Sequence, residues 1–228
     1  MEKPVYYILS GLGADERVFD QIDFGSISPV FIPWEPVDPD QTFGSYVKQL
    51  SSHIKSAHPV LIGISFGGIV AQEMSVLLNN CPVLIISSVR TRRELSPIMR
   101  FSGKIGLHKL ISVKRIQKPN RVNYWLFGTQ TQSERTLLDA IIADTDPVFA
   151  QWAIHQISNW KREERVPAKV IHIHGDQDRI FPISNVHPDY IIHEGTHFMT
   201  VSKHEEVSRV IRQALEEIRN SAFGIRNS

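Results

Sequence analysis

Val60-Leu61-Ile62-Gly63-Ile64-Ser65-Phe66-Gly67-Gly68-Ile69-Val70 is the stretch that decides the fold. A β-branched apolar run enters the pattern Gly-x-Ser-x-Gly at Gly63, and apolar residues at helical spacing resume at Ile69, Val70, Met74, Leu77 and Leu78. The segment therefore reads as strand, very tight turn, helix. In such a turn a strained backbone pushes the Ser65 hydroxyl into the open, and Gly63 and Gly67, lacking a Cβ, let neighbouring chain approach. The helix that follows aims the positive end of its dipole at the serine. The Phe66 N–H, in the first turn, has no partner within the helix. The alternative for this segment is a glycine-rich βα turn without chemistry.

Working outward, similar apolar runs recur at Val5 to Leu9, Val30 to Ile32, Val83 to Ile86, Val170 to Ile173 and Tyr190 to Ile192. Most are rich in β-branched residues and end in Gly, Ser, Pro or Asp, as strands buried on both faces do. Helical patterns lie between them, at Phe43 to Ile54 and Val207 to Ile218 among others. Strands alternating with helices predict an α/β domain with a mostly parallel sheet of about six strands, flanked by helices. The alternation stops between Arg92 and Glu164, where helix-like pieces such as Glu134 to Ala143 and Pro147 to Trp160 occur without a clear strand. Asp146 is placed to cap the second piece, with Pro147 in its first turn. We read residues 92–164 as a helical lid inserted in a core of residues 1–91 and 165–228. The alternative is that these are ordinary extra helices.

The 228 residues suit one domain with an insertion. A formal net charge of +1 gives no reason to expect nucleic acid as a partner. Cys81 is the sole cysteine, so no internal disulfide forms, and a reducing, cytoplasmic setting is expected. No stretch approaches the roughly 20 apolar residues of a membrane span, and the N-terminal run does not read as a signal peptide.

A serine hydroxyl is a poor nucleophile until a histidine takes its proton, and the histidine works best when a carboxylate orients it. Two later strand ends offer these groups: Gly175-Asp176-Gln177-Asp178 after Val170 to His174, and Glu194-Gly195-Thr196-His197-Phe198 after Tyr190 to His193. Asp176 and Asp178 both qualify as the acid. The whole arrangement resembles the α/β-hydrolase superfamily over nearly all of the chain outside the insertion. His174-Gly175-Asp176-Gln177-Asp178 is similar to the family's H-G-x-x-D element, which implies Asp178 as the acid. Gly195-Thr196-His197-Phe198 is similar to its G-x-H-F element, which implies His197 as the base to Ser65. Ser10-Gly11-Leu12-Gly13 resembles the oxyanion loop H-G-x-G, which implies the Leu12 and Phe66 N–H groups as the oxyanion hole. Ser10 and Ile64 depart from the family, which commonly has histidine at both positions.

The resemblance implies a serine hydrolase cleaving a carboxylic ester through an acyl-enzyme, on a small substrate with an apolar part, without cofactor or metal. Three other readings stay open. One is a ligand receptor on the same fold, and another a lyase or carbon–carbon hydrolase using the same triad. The third is a metal enzyme, because His172-x-His174-x-Asp176-x-Asp178 is similar to the metallo-β-lactamase H-x-H-x-D-H element. From Arg90 to Arg121 the chain carries ten Lys and Arg residues against Glu94 alone. This run reads as a solvated helix surface, as a steering field for an anionic substrate, or as a docking face for an acidic partner or membrane surface. Phe101, Ile105, Leu107, Leu110 and Ile111 interleave with it, as in an amphipathic lid. Tyr124, Trp125, Phe127, Trp152 and Trp160 are expected mainly in the core, with some lining an apolar acyl or alcohol pocket.

Overall fold

The computed structural model describes residues 3–104 and 120–224. Six strands form one sheet: β1 (Val5–Leu9), β2 (Val30–Phe31), β3 (Pro59–Ile64), β4 (Val83–Ile86), β5 (Val170–Gly175) and β6 (Tyr190–Ile192). Their order is β2-β1-β3-β4-β5-β6, and every described pairing is parallel. The helices are α1 (Phe43–Ser51), α2 (Phe66–Leu77), α3 (Pro97–Lys104), α4 (Arg121–Phe127), α5 (Gln132–Asp144), α6 (Pro147–Asn159), α7 (Met199–Ser202) and α8 (His204–Phe223).

The central strands β1, β3 and β4 are apolar on both faces because both faces are covered. Ile8, Ile62, Leu84, Ile171 and Ile192 point to one side, against Val207, Ile211 and Leu215 of α8. Tyr7, Leu61, Val83 and Ile85 point to the other, against Val47 and Leu50 of α1 and Ile69, Val70 and Met74 of α2. β1, β3 and β4 therefore lack the polar alternation of a half-exposed sheet, and their apolar runs in the sequence record this double burial, whereas Val30 and Ile191 of the edge strands β2 and β6 are exposed.

Helix ends follow their capping chemistry. Asp146 accepts a hydrogen bond from the Phe149 N–H with Pro147 in the first turn, as the sequence led us to expect. Thr131 caps α5 through the Glu134 N–H. α1 stops at Ser51, short of Ile54, where 52–54 close as turns. α8 runs further than the predicted stretch in both directions and ends at Gly224, whose φ of 63° is the left-handed cap conformation.

Trp152 and Trp160 are buried against Phe43, Tyr46 and Phe66, and Phe127 packs on His197 and Phe198. Trp125 departs from its expected place in the core: it is 58% exposed, and the Arg179 guanidinium stacks over its ring. The basic run also differs from the solvated-surface reading at its start. Arg90 is buried and pairs with Asp189, while Arg92 and Arg93 meet Glu163. The carboxylates that answer this run lie far along the chain, which is why it looked one-sided. The positions from Ile105 to Lys118 on which the amphipathic-lid reading rested lie outside the described residues. Among the described residues no helix is long and apolar enough to cross a membrane. Cys81 is buried, and burial pushes its thiol up to about 11.

Candidate active site

Because the strands are parallel, their carboxyl ends share one edge of the sheet, and the loops leaving β1, β3, β5 and β6 meet there. The turn after β3 places Ser65 at φ 52°, ψ −118°, a conformation that costs a non-glycine residue on the order of 1–3 kcal/mol. Four hydrogen bonds hold it. The Ser65 N–H donates to Ile86 O at 2.9 Å, and Ser65 O accepts from the Gly68 N–H at 3.0 Å, from the Ile69 N–H at 3.4 Å and from Ser88 Oγ at 2.7 Å. The two glycines of the motif are required by packing. A Cβ on Gly63 would lie 2.3 Å from Gly67 O, and one on Gly67 would lie 2.2 Å from Ser10 O.

The candidate base and acid follow β6 and β5. His197 Nε2 lies 3.0 Å from Ser65 Oγ, and His197 Nδ1 lies 2.7 Å from Asp178 Oδ2. An ionised carboxylate only accepts, so Nδ1 carries the proton and Nε2 presents its lone pair to the Ser65 hydroxyl. Asp178 Oδ1 is fixed in turn by the Ile180 and Phe181 N–H groups, at 2.8 and 2.9 Å. Asp178 and His197 are 4% and 6% exposed, so little solvent screens the pair. Asp176, the other candidate acid, points elsewhere and meets the exposed His193 at 2.7 Å.

The loop after β1 reaches the same point. Gly11 lies against Ser65, where an added Cβ would be 3.6 Å from the serine Cβ. The Leu12 N–H has no acceptor among the described residues. Ser10, at the position where a histidine is common, is fully buried and donates to Ala14 O at 2.6 Å, which closes the loop on itself. Trp34 Nε1 donates to Gly11 O at 2.9 Å, a support that the sequence did not announce.

Behind Asp178 lies a second buried group. His172 Nε2 and His174 Nδ1 are 3.0 Å apart, and His174 Nε2 lies 2.7 Å from Phe181 O and 3.6 Å from Asp178 Oδ2. The carbonyl can only accept, so His174 Nε2 carries the proton and its Nδ1 accepts from the His172 Nε2–H. Burial is the main influence holding His172 well below its ordinary range, aided by His174, Arg90 and Arg165. Burial also lowers His174, against the pull of Asp178. The four residues of the H-x-H-x-D-x-D string thus divide. The two imidazoles bind each other, Asp176 binds His193, and Asp178 binds His197. Among the described residues no three His, Cys, Asp or Glu side chains gather as a metal site.

Sequence inspection missed Ser88, which braces the Ser65 carbonyl, and Gln72, which ties Gly68 O to Val89 O. Serine and glutamine carry no local pattern that would have singled them out.

No family model and no curated protein matches the sequence. Solved structures match its fold. An N-acyl homoserine lactonase superposes with a TM-score of 0.67 at 15% identity, covering 100% of this chain and 92% of the other. A bromoperoxidase from Bacillus anthracis gives 0.66 at 19%, covering 94% and 92%. An esterase from Thermogutta terrifontis gives 0.65 at 14%, covering 96% and 91%. The chain has the α/β-hydrolase fold.

Proposed function

We propose that this α/β-hydrolase-fold protein is a serine hydrolase that cleaves a carboxylic ester through an acyl-enzyme. The observation that carries the reading is the continuous line Ser65 Oγ, His197 Nε2, His197 Nδ1, Asp178 Oδ2, with steps of 3.0 and 2.7 Å across its two hydrogen bonds. The esterase and the lactonase among the similar structures favour the same class of bond.

Ser65 Oγ attacks the ester carbonyl as His197 Nε2 takes its proton. Asp178 keeps the imidazole in the required tautomer and stabilises the cation formed. The Leu12 and Phe66 N–H groups bind the developing oxyanion, each worth about 3 kcal/mol of barrier. His197 then protonates the leaving alkoxide, takes a proton from water as the resulting hydroxide attacks the acyl carbon, and returns that proton to Ser65 Oγ as the acid departs. Of the 92–164 insertion, the described helix α4 acts as a lid over this edge. In support, Phe127 of α4 packs edge-on against His197, with ring centroids 5.5 Å apart.

Labelling with a fluorophosphonate probe tests the nucleophile. The wild-type protein is expected to take one label and Ser65→Ala none. A Ser65→Ala protein that still labels, or a folded wild type that never does, overturns the reading.

A further inference from the structure

Arg121 begins α4, Arg135 sits on α5 and Arg179 follows Asp178, yet all three line one cavity of about 390 Å³. Arg17, Arg90, Arg162 and Arg212 each meet a carboxylate. The three cavity arginines have no carboxylate partner among the described residues, and none of the cavity's described lining residues is acidic. The two nearby acids are engaged elsewhere. Asp139 accepts the Tyr124 hydroxyl at 2.8 Å, and Glu134 accepts the Gln130 N–H at 2.7 Å.

Like charges gathered in a concavity repel one another and raise the local potential, which an anion relieves. The guanidiniums are also held in place. Arg135 stacks on Tyr124 at 5.5 Å and Arg179 on Trp125 at 5.0 Å, and Arg179 Nη1 donates to Trp125 O at 2.7 Å. A guanidinium stacked by its face keeps N–H groups at its edge for a forked contact with carboxylate or phosphate.

Polar groups in the lining give a second, independent sign. Thr129 and Thr196 are 7% and 3% exposed, and among the described residues neither hydroxyl has a partner. The Arg135 Nε is likewise buried without one. Buried polar groups are ordinarily satisfied, and all three of these belong to residues that line the cavity. The volume is that of a small-molecule pocket, well above what a lone ion fills. Two of its lining residues are next in the chain to the reacting groups, since Gln177 precedes Asp178 and Thr196 precedes His197.

We propose that this cavity is the subsite for an anionic arm, a carboxylate or phosphate, carried by the substrate of the Ser65 site. The assignment to substrate rests on the hydrolase reading, whereas binding of the anion does not.

Two para-nitrophenyl esters of equal acyl length test it, one neutral and one ending in a carboxylate, the hemiglutarate. The ratio of kcat/KM, anionic over neutral, is expected to fall at least about tenfold in Arg121→Gln/Arg179→Gln, both positions being exposed. An unchanged ratio overturns the proposal. Free glutarate is expected to inhibit hydrolysis of the neutral ester competitively, and non-competitive inhibition assigns the cavity to a separate effector and overturns the substrate assignment. A binding measurement separates this proposal from the hydrolase reading. Glutarate or inorganic phosphate should raise the Tm of Ser65→Ala, and the rise should vanish when Arg121→Gln/Arg179→Gln is added. No rise in Ser65→Ala overturns the anion site even where the wild type labels with fluorophosphonate. A rise in a protein that never labels keeps the anion site and removes the hydrolase.

Discussion

Gly175 and Gly195 meet backbone against backbone: a Cβ on Gly175 would stand 2.1 Å from Gly195 O. The Gln177 N–H donates to that same oxygen at 2.9 Å. This contact sets the spacing between the loop that carries Asp178 and the loop that carries His197, so two residues without side chains govern the distance between two that have them.

Gly175→Ala is therefore expected to push the loops apart. The backbone on the other side cannot rotate out of the way, and the cost is about 1–3 kcal/mol or more. Denaturant unfolding should show this loss. Turnover of a para-nitrophenyl ester should fall further than stability alone explains, because the Asp178–His197 hydrogen bond is stretched. Full activity in Gly175→Ala would contradict the account.

Asp178→Asn separates charge from shape. The Ile180 and Phe181 N–H groups require an acceptor at the Oδ1 position, so the asparagine oxygen settles there and its NH2 faces His197. Nδ1 must then accept, Nε2 takes the proton, and the imidazole can no longer receive one from Ser65. We expect kcat to fall by about 10³–10⁴ with little change in fold, read from steady-state kinetics beside circular dichroism.

Ser88→Ala tests the brace on the strained turn. It removes one of the hydrogen bonds to Ser65 O and leaves those of the Gly68 and Ile69 N–H groups, so the stability loss is about 1 kcal/mol. Loosening the turn should lower the rate of fluorophosphonate labelling more than it lowers Tm. Unchanged labelling would show that the turn holds without Ser88.

The buried pair His172 and His174 makes stability pH-dependent with a definite sign. Both lie below the ordinary value of 6.5 when folded, chiefly because burial disfavours the cation. The unfolded chain takes up protons near 6.5 while the native chain does not. The contribution is therefore complete above that value and is lost as pH falls through it, by up to about 1.4 kcal/mol per pH unit for each histidine. Urea midpoints are expected to drop between about pH 7 and about pH 5. His172→Gln should be less stable at about pH 8 and show a flatter profile, since one of the two sites is gone. An equally steep profile in His172→Gln would remove His172 from the explanation.

Much of this protein is written locally. Strand positions such as Val83 to Ile86 and the capped start at Asp146–Pro147 were legible because periodicity and capping act over a few residues. The turn at Ser65 was legible for the same reason, as glycine spacing records a steric demand within one turn. The resemblance of 174–178 and 195–198 to known elements then singled out Asp178 and His197. Neighbouring sequence alone left Asp176 level with Asp178, and the fold separates them by sending Asp176 to His193.

What the tertiary structure decided are relations between residues far apart in sequence. The pairing of Arg90 with Asp189, the hydroxyl of Ser88 on the Ser65 carbonyl, and the meeting of Arg121, Arg135 and Arg179 leave no local trace. Sequence determined which segments become strands and helices, because burial of each face selects residues at fixed intervals. Only the assembled parallel sheet, with the carboxyl end of every strand at one edge, determined which loops face one another. That follows from packing and chain connection over more than a hundred residues, which no short pattern encodes.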